Sequence, residues 1–117
     1  ISAIILTNTT NGNRNNLTSE HKKEEGGLSG EPLEEISTNM IKSFYKQLSG
    51  KIPIIGVGGV NSGKTAYEKI LAGASLVGLG TAMFYDPLIC PKINDELVKY
   101  IEFNEIKNIK DLIGNLN

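Results

Sequence analysis

The sequence predicts an α/β domain built on a parallel sheet, and three observations carry that prediction. Short apolar runs alternate with longer amphipathic stretches along the chain. The runs are apolar at nearly every position, as expected of strands covered on both faces rather than one. Two of the three end in glycine, at Gly58-Gly59 and at Gly80-Thr81, where a parallel strand would hand over to its crossover helix.

Taken in order, the first run is Ala-Ile-Ile-Leu within Ser2–Thr7. Residues 8–30 are polar and glycine-rich, with mixed charges from Glu20 to Glu25, and read as a long surface loop. A loop of that length in a compact domain is usually functional or disordered. Pro32–Leu48 is expected as a helix, because Leu33, Ile36, Met40, Phe44 and Leu48 recur at spacings of three and four. Those five are assigned to its buried face. Pro32 suits the first turn and Gly50 lies just past the end.

Ile52–Val57 is the second strand. Ser62 caps a helix running to about Leu71, with Gly73 as its stop. Ser75–Leu79 is the third strand. Leu88–Ile101 carries Ile93, Leu97 and Ile101 at helical spacing, with its start placed at Pro91, and Ile106–Ile113 forms a short last helix closed by Gly114. Such alternation implies parallel strands joined by right-handed crossovers. Three strands alone leave edges and apolar faces bare, so an incomplete α/β domain is expected, completed by further βα units. The chain also begins without Met, directly in a strand-like run, which fits a piece of a longer protein.

The 117 residues suffice for one small core. Hydrophobic residues at 39% and charged residues at 21% place the chain among globular domains rather than disordered ones. A formal charge of −1 provides no footprint for nucleic acid. No apolar run approaches the roughly 20 residues that span a bilayer, and the N-terminal run is too short and uncharged for a signal peptide. Cys90 is the single cysteine, so neither a disulfide framework nor a cysteine metal cluster is expected, and no metal ligands are assigned. The Asn8 and Asn16 sequons would matter only in a secreted chain. His21, the single histidine, sits in the charged loop and reads as a solvated surface residue.

Glycine lets backbone N–H groups approach a ligand closely, and helix N-termini favour anions. Two neighbouring strand ends with such amides make a phosphate cup, a feature that in (β/α)8 barrels belongs to the loops after the last two strands. The bland alternative is a pair of tight turns. A competing motif overlaps the first of them: Gly58-Gly59-Val60-Asn61-Ser62-Gly63-Lys64-Thr65 fits the P-loop pattern and lies between a strand and a helix. In that reading Lys64 reaches the β- and γ-phosphates, Thr65 holds Mg²⁺, and Asp86 stands in for the acidic residue of a second strand.

Several segments together decide between these readings: Thr7-Asn8-Thr9-Thr10, Gly26-Gly27-Leu28-Ser29-Gly30, Pro53-Ile54-Ile55-Gly56-Val57-Gly58-Gly59, and Glu68-Lys69-Ile70 with Ala72-Gly73-Ala74-Ser75. In that order and spacing they resemble the last part of dihydroorotate dehydrogenase, especially its class 2, the membrane-associated enzymes that reduce quinone. The resemblance runs over nearly the whole chain and implies the C-terminal portion of a (β/α)8 TIM barrel, about three βα units, with residues 1–117 a segment of the FMN-binding domain.

The resemblance also implies site residues. Thr7 lies against the flavin, and Asn8 and Thr9 hydrogen-bond orotate; an Asn amide both donates and accepts, matching a pyrimidine edge. Gly30 offers a backbone contact to FMN. Gly58 and Gly59, with Gly80 and Thr81, hold the FMN phosphate. Lys64 and Thr65 then fall at positions flavin binding does not need. No catalytic residue is assigned, because the family's base, a serine in class 2, lies upstream, as do the flavin-contacting lysine and the helical module that meets membrane and quinone. The isolated segment is therefore expected to be inactive.

Gly78-Leu79-Gly80-Thr81-Ala82 lacks the aromatic residue class 2 members commonly place before the phosphate-binding Thr or Ser. With Asp86-Pro87 and Cys90-Pro91-Lys92-Ile93 it resembles the soluble class 1 enzymes. Membrane attachment and quinone follow from class 2, and a cytoplasmic location from class 1. Another FMN- or phosphate-binding barrel, such as a dihydrouridine synthase, would share the glycine-ended strands but not Thr-Asn-Thr-Thr.

Overall fold

The structure is a computed structural model that describes residues 1–12 and 14–115. Asn13, within the loop read over residues 8–30, and residues 116–117 lie outside the described residues. Three strands form one parallel sheet in the order β1 (Ile4–Leu6), β2 (Ile54–Val57), β3 (Ala74–Gly78). The helices are α1 (Glu34–Leu48), α2 (Gly63–Ala72), α3 (Thr81–Tyr85) and α4 (Ile89–Phe103), with 3₁₀ turns at Glu31–Leu33 and Ile109–Leu112.

The strands run where the apolar runs placed them, the first two shortened at their ends and the third shifted by one residue toward the N-terminus. Ile4, Ile54 and Ala74 stand in register and face the helices, and with Ile41 of α1 and Ala72 of α2 they make the main core. A second cluster, Val60, Ala66 and Ile93, joins α2 to α4. The next row, Ile5, Ile55 and Leu76, points to the opposite face of the sheet. Ile5 and Leu76 are 67% and 64% exposed there. The sheet thus carries an apolar face that the described residues leave bare. β1 and β3 also each keep one unpaired edge. Sequential strand order with α1 and α2 both packed on one face is the arrangement that right-handed crossovers give when a sheet curls into a barrel.

Helix limits follow their local chemistry. Ser62 caps α2 by accepting from the Thr65 amide, while Thr65 answers with its hydroxyl, a reciprocal capping box. Gly73 ends α2 at φ 133°, and Ser49 and Gly50 end α1 in the left-handed region. Four expectations are corrected. Leu33, just before α1, is buried and Phe44 packs against the core as expected, but Ile36 is 56% and Met40 41% exposed, and the buried positions within α1 are Ser37 and Ile41. Ser37 is buried because its hydroxyl donates to the Val57 carbonyl at 2.5 Å, drawing that side of the helix onto β2. α4 starts at Ile89 rather than Pro91, since a proline within the first turn removes an N–H that has no intrahelical partner there. Of the expected last helix only the 3₁₀ turn Ile109–Leu112 forms, capped by the Asn108 side chain on the Lys110 amide. α3, which periodicity did not show, follows Gly80 directly.

Candidate functional site

The C-terminal ends of all three strands open into one cleft of about 860 Å³. Thr7, Asn8 and Thr9 enter it from the end of β1, Gly58 and Gly59 from β2, Gly80 and Thr81 from the β3–α3 junction, and Gly30 from the end of the long loop. Every position that the family resemblance assigned to flavin or orotate therefore lines the same cavity. Lys64 and Thr65 do not.

The β1 end is tied to β2 by the Thr7 amide, which donates to the Val57 carbonyl at 2.9 Å, and by its hydroxyl to the same oxygen at 3.3 Å. The Asn8 Oδ1 accepts the Thr9 amide at 2.8 Å, which turns the chain out of the sheet. Thr10 and Leu28 then pair as an isolated antiparallel bridge. That bridge closes the long loop on itself and returns Ser29 and Gly30 to the cleft. The Arg14 guanidinium holds the loop together by donating to the carbonyls of Lys22, Glu24 and Gly26.

Gly58 and Gly59 have φ of 129° and 73°, values that L side chains rarely adopt. A Cβ at Gly58 would stand 2.8 Å from the Ser37 Cβ, and one at Gly59 2.6–2.7 Å from the backbone of Glu34. The turn is therefore seated directly on the first turn of α1. Gly80 differs: nothing lies within 4 Å of where its Cβ would be, so a side chain there would meet open space. Thr81 is fixed from across the cleft, its hydroxyl 2.8 Å from the Ser29 hydroxyl, and its Cγ2 lies 3.2 Å from the Cβ position of Gly30. Ser29, Tyr85 and Ile89 line the cleft without having been singled out as site residues, and Asp86, which the P-loop reading used, lines it too. Ser29 was visible only as the neighbour of Gly30.

Asp86, at the edge of the cleft, has structural partners. Asp86 accepts from Lys92 at 2.6 Å and from the Leu88 amide at 3.0 Å, and the Lys92 hydrogen bond above all holds its carboxyl below the usual range. The residue thus caps the entry to α4. His21 lies outside the cleft, with Nδ1 2.6 Å from Glu24. The P-loop reading fails on geometry. The Gly63 amide donates to the Glu96 carboxylate of α4 at 2.5 Å, Thr65 is engaged in the capping box, and Lys64 is exposed 4.0 Å from Glu68. Among the described residues no cluster of three or more His, Cys, Asp or Glu could hold a metal.

A sequential parallel sheet, helices on one face, and glycine-bearing strand ends meeting in one cleft define the ligand-binding end of a β/α barrel. The chain belongs to the dihydroorotate dehydrogenase family, whose sequence model matches residues 1–101. It is 45% identical over 116 residues to the mitochondrial dihydroorotate dehydrogenase (quinone) of Arabidopsis thaliana, covering 97% of this chain and 25% of that protein. It is 44% identical to the mouse mitochondrial enzyme of the same name, with 97% and 29% covered. The crystal structure of DHODH from Eimeria tenella in complex with ferulenol superposes with a TM-score of 0.93 at 40% identity, covering 98% of this chain and 31% of that one. The chain thus spans about a quarter to a third of the length of these relatives.

Proposed function

We propose that residues 1–117 form the C-terminal segment, about three βα units, of an FMN-dependent dihydroorotate dehydrogenase barrel. The whole protein oxidises dihydroorotate to orotate in pyrimidine (UMP) biosynthesis and passes the electrons to a quinone. The observation that carries this reading is the convergence of Thr7, Asn8, Thr9, Gly30, Gly58, Gly59, Gly80 and Thr81 on one cleft.

The residues fit a phosphate-bearing flavin. Gly80 leaves its backbone open to the cavity, Gly58-Gly59 forms a side-chain-free turn facing it, and the Thr81 hydroxyl is already oriented by Ser29. FMN held there would supply the redox chemistry, as acceptor of the hydride that dihydroorotate gives up. The chain's own residues bind and orient. Gly58, Gly59, Gly80 and Thr81 hold the phosphate end, and Thr7, fastened to Val57, presents a small surface to the ring system. Asn8, whose Oδ1 is engaged by the Thr9 amide, offers its NH₂ hydrogens to pyrimidine carbonyls, and the Thr9 hydroxyl adds a second contact. The proton leaving C5 is assigned to no residue of this chain. The names of the relatives support quinone as acceptor, and we assign the whole protein a peripheral membrane location. Among the described residues no helix is long and apolar enough to cross a membrane.

The test is made on the full-length protein. Purified protein is expected to carry stoichiometric FMN and to form orotate from dihydroorotate with a soluble quinone as acceptor. Protein that binds no flavin and produces no orotate overturns the reading.

A further inference from the structure

Lys69 is the largest fully buried side chain among the described residues, at 0% exposure. It leaves α2 and passes over β2 where Gly56 has no side chain; a Cβ there would lie 3.5 Å from the Lys69 Cδ. Its ammonium ends at the first turn of α1, donating to the Thr38 hydroxyl at 2.9 Å and to the Glu34 carbonyl at 3.2 Å. The Thr38 hydroxyl in turn donates to that carbonyl at 2.9 Å. No carboxylate stands within 4.0 Å of the ammonium among the described residues, and burial pulls its pKa down while Glu34 and Glu68 oppose the shift from further away.

Burying an ammonium without an ion-pair partner is costly, and a hydrocarbon side chain fills a core at least as well. Core filling therefore does not account for a lysine here. Its place in the architecture does, because the turn it grips is the one on which Gly59 rests, 2.6 Å from a Cβ position to the Glu34 Cα. The same turn is clamped to the end of β2 by Ser37. We propose that Lys69 is a positioning residue for the flavin phosphate: it locks the first turn of α1, and through it the Gly58-Gly59 turn, in the geometry that receives the phosphate. This rests on the FMN reading above. Lys69 touches no ligand and acts only through α1.

The experiment compares FMN with riboflavin, which lacks the phosphate, by titrating flavin-free full-length protein with each. Lys69→Met, similar in length but unable to donate, is expected to weaken FMN binding by about ten-fold, the scale of a lost charged hydrogen bond, while riboflavin binding stays at the wild-type value. Thr38→Val, which removes one acceptor of the ammonium, should lower the FMN-to-riboflavin affinity ratio in the same direction by less, and it decides the matter if Lys69→Met does not fold. A wild-type ratio in the variant that folds, or equal loss of both ligands, overturns the proposal and leaves Lys69 a structural residue. Wild-type protein that binds neither flavin, or prefers riboflavin, overturns the FMN reading itself.

Discussion

At the end of β2, Gly58 and Gly59 hold φ of 129° and 73°, and a side chain on either would run into α1; at the end of β3, Gly80 has φ of −132° and open space where a Cβ would stand. Both turns line the same cleft and both follow a strand of the parallel sheet. The first is built into the fold, resting on a helix turn held by Ser37 and Lys69. The second is also tied across the cleft, through Ser29 and Thr81, with Leu79 beside it packed on the Val60–Ala66–Ile93 cluster. One sequence signal therefore covers two requirements: glycine at 59 is demanded by backbone geometry, whereas glycine at 80 is compatible with the fold but not required by it.

The comparison breaks most readily at Gly59. Gly59→Val places a β-branched residue at positive φ and drives its Cβ into the Glu34 backbone. Strain and overpacking together should cost about 3–5 kcal/mol, read as a large fall in the unfolding midpoint of the full-length protein with loss of bound flavin. Gly80→Ala should shift stability by no more than about 0.5 kcal/mol. Equal effects at the two sites would remove the distinction.

Next in size are the two serine anchors. Ser37→Ala deletes a buried hydrogen bond, but the Val57 carbonyl keeps the Thr7 amide and hydroxyl, so the loss should stay near 1 kcal/mol. Ser29→Ala removes an exposed contact and should cost about half as much or less in denaturant unfolding. A larger effect at Ser29 would mean that the β3 turn is the more firmly built of the two.

The elements that were legible share a physical cause: the strands of a parallel sheet are apolar on both faces at most positions, and Ser62, Gly73 and Gly50 mark ends whose geometry suits such residues. α3 was not legible because Thr81–Tyr85 is shorter than the helical pattern needed to show periodicity. On α1 only Ile36 and Met40 were misassigned, because periodicity weighs large apolar residues, while Ser37 is buried by reaching Val57. The site residues were legible through the family resemblance, since an Asn after a strand or a glycine pair has several ordinary uses. Lys69 was not legible as buried, because Glu-Lys-Ile in a helix reads as a solvent-facing lysine. Only the absent side chain at Gly56 makes its path, and that relation spans two elements.

A smaller effect tests the support beneath Gly59 electrostatically. The Glu34 carboxyl sits above its usual 4.5, first because burial disfavours the charge and then because of the hydrogen bond and like charge of Glu68, with Lys69 and Lys64 opposing. A raised folded-state pKa means the folded protein holds this proton more tightly, so stability declines as pH rises from about 4.5 through the raised value. Glu34→Gln keeps a donor toward Glu68 and leaves the carbonyl that Lys69 grips. It should raise the unfolding temperature at pH 7 and leave it nearly unchanged at pH 4. A gain of the same size at both pH values would show that the carboxyl does not titrate in that window.

The smallest effect is expected at Lys64, whose place in the P-loop-like octet would make it indispensable to a nucleotide phosphohydrolase. Its ammonium is solvent-exposed and 4.0 Å from Glu68, an i, i+4 pair of the kind worth at most about 0.5 kcal/mol. Lys64→Ala should therefore leave the unfolding midpoint and the FMN content of the full-length protein within error of wild type. The reason lies next to it in the chain, where the Gly63 amide and the Thr65 hydroxyl that a P-loop would turn toward phosphate and Mg²⁺ are occupied by Glu96 and Ser62. Loss of flavin on Lys64→Ala would place the anion on the α2 side of the turn and contradict the division drawn between the two glycine turns. Unchanged flavin, with no binding of ATP or GTP in an equilibrium titration, would confine the phosphate to the cleft face, which Gly58-Gly59 and Gly80-Thr81 line.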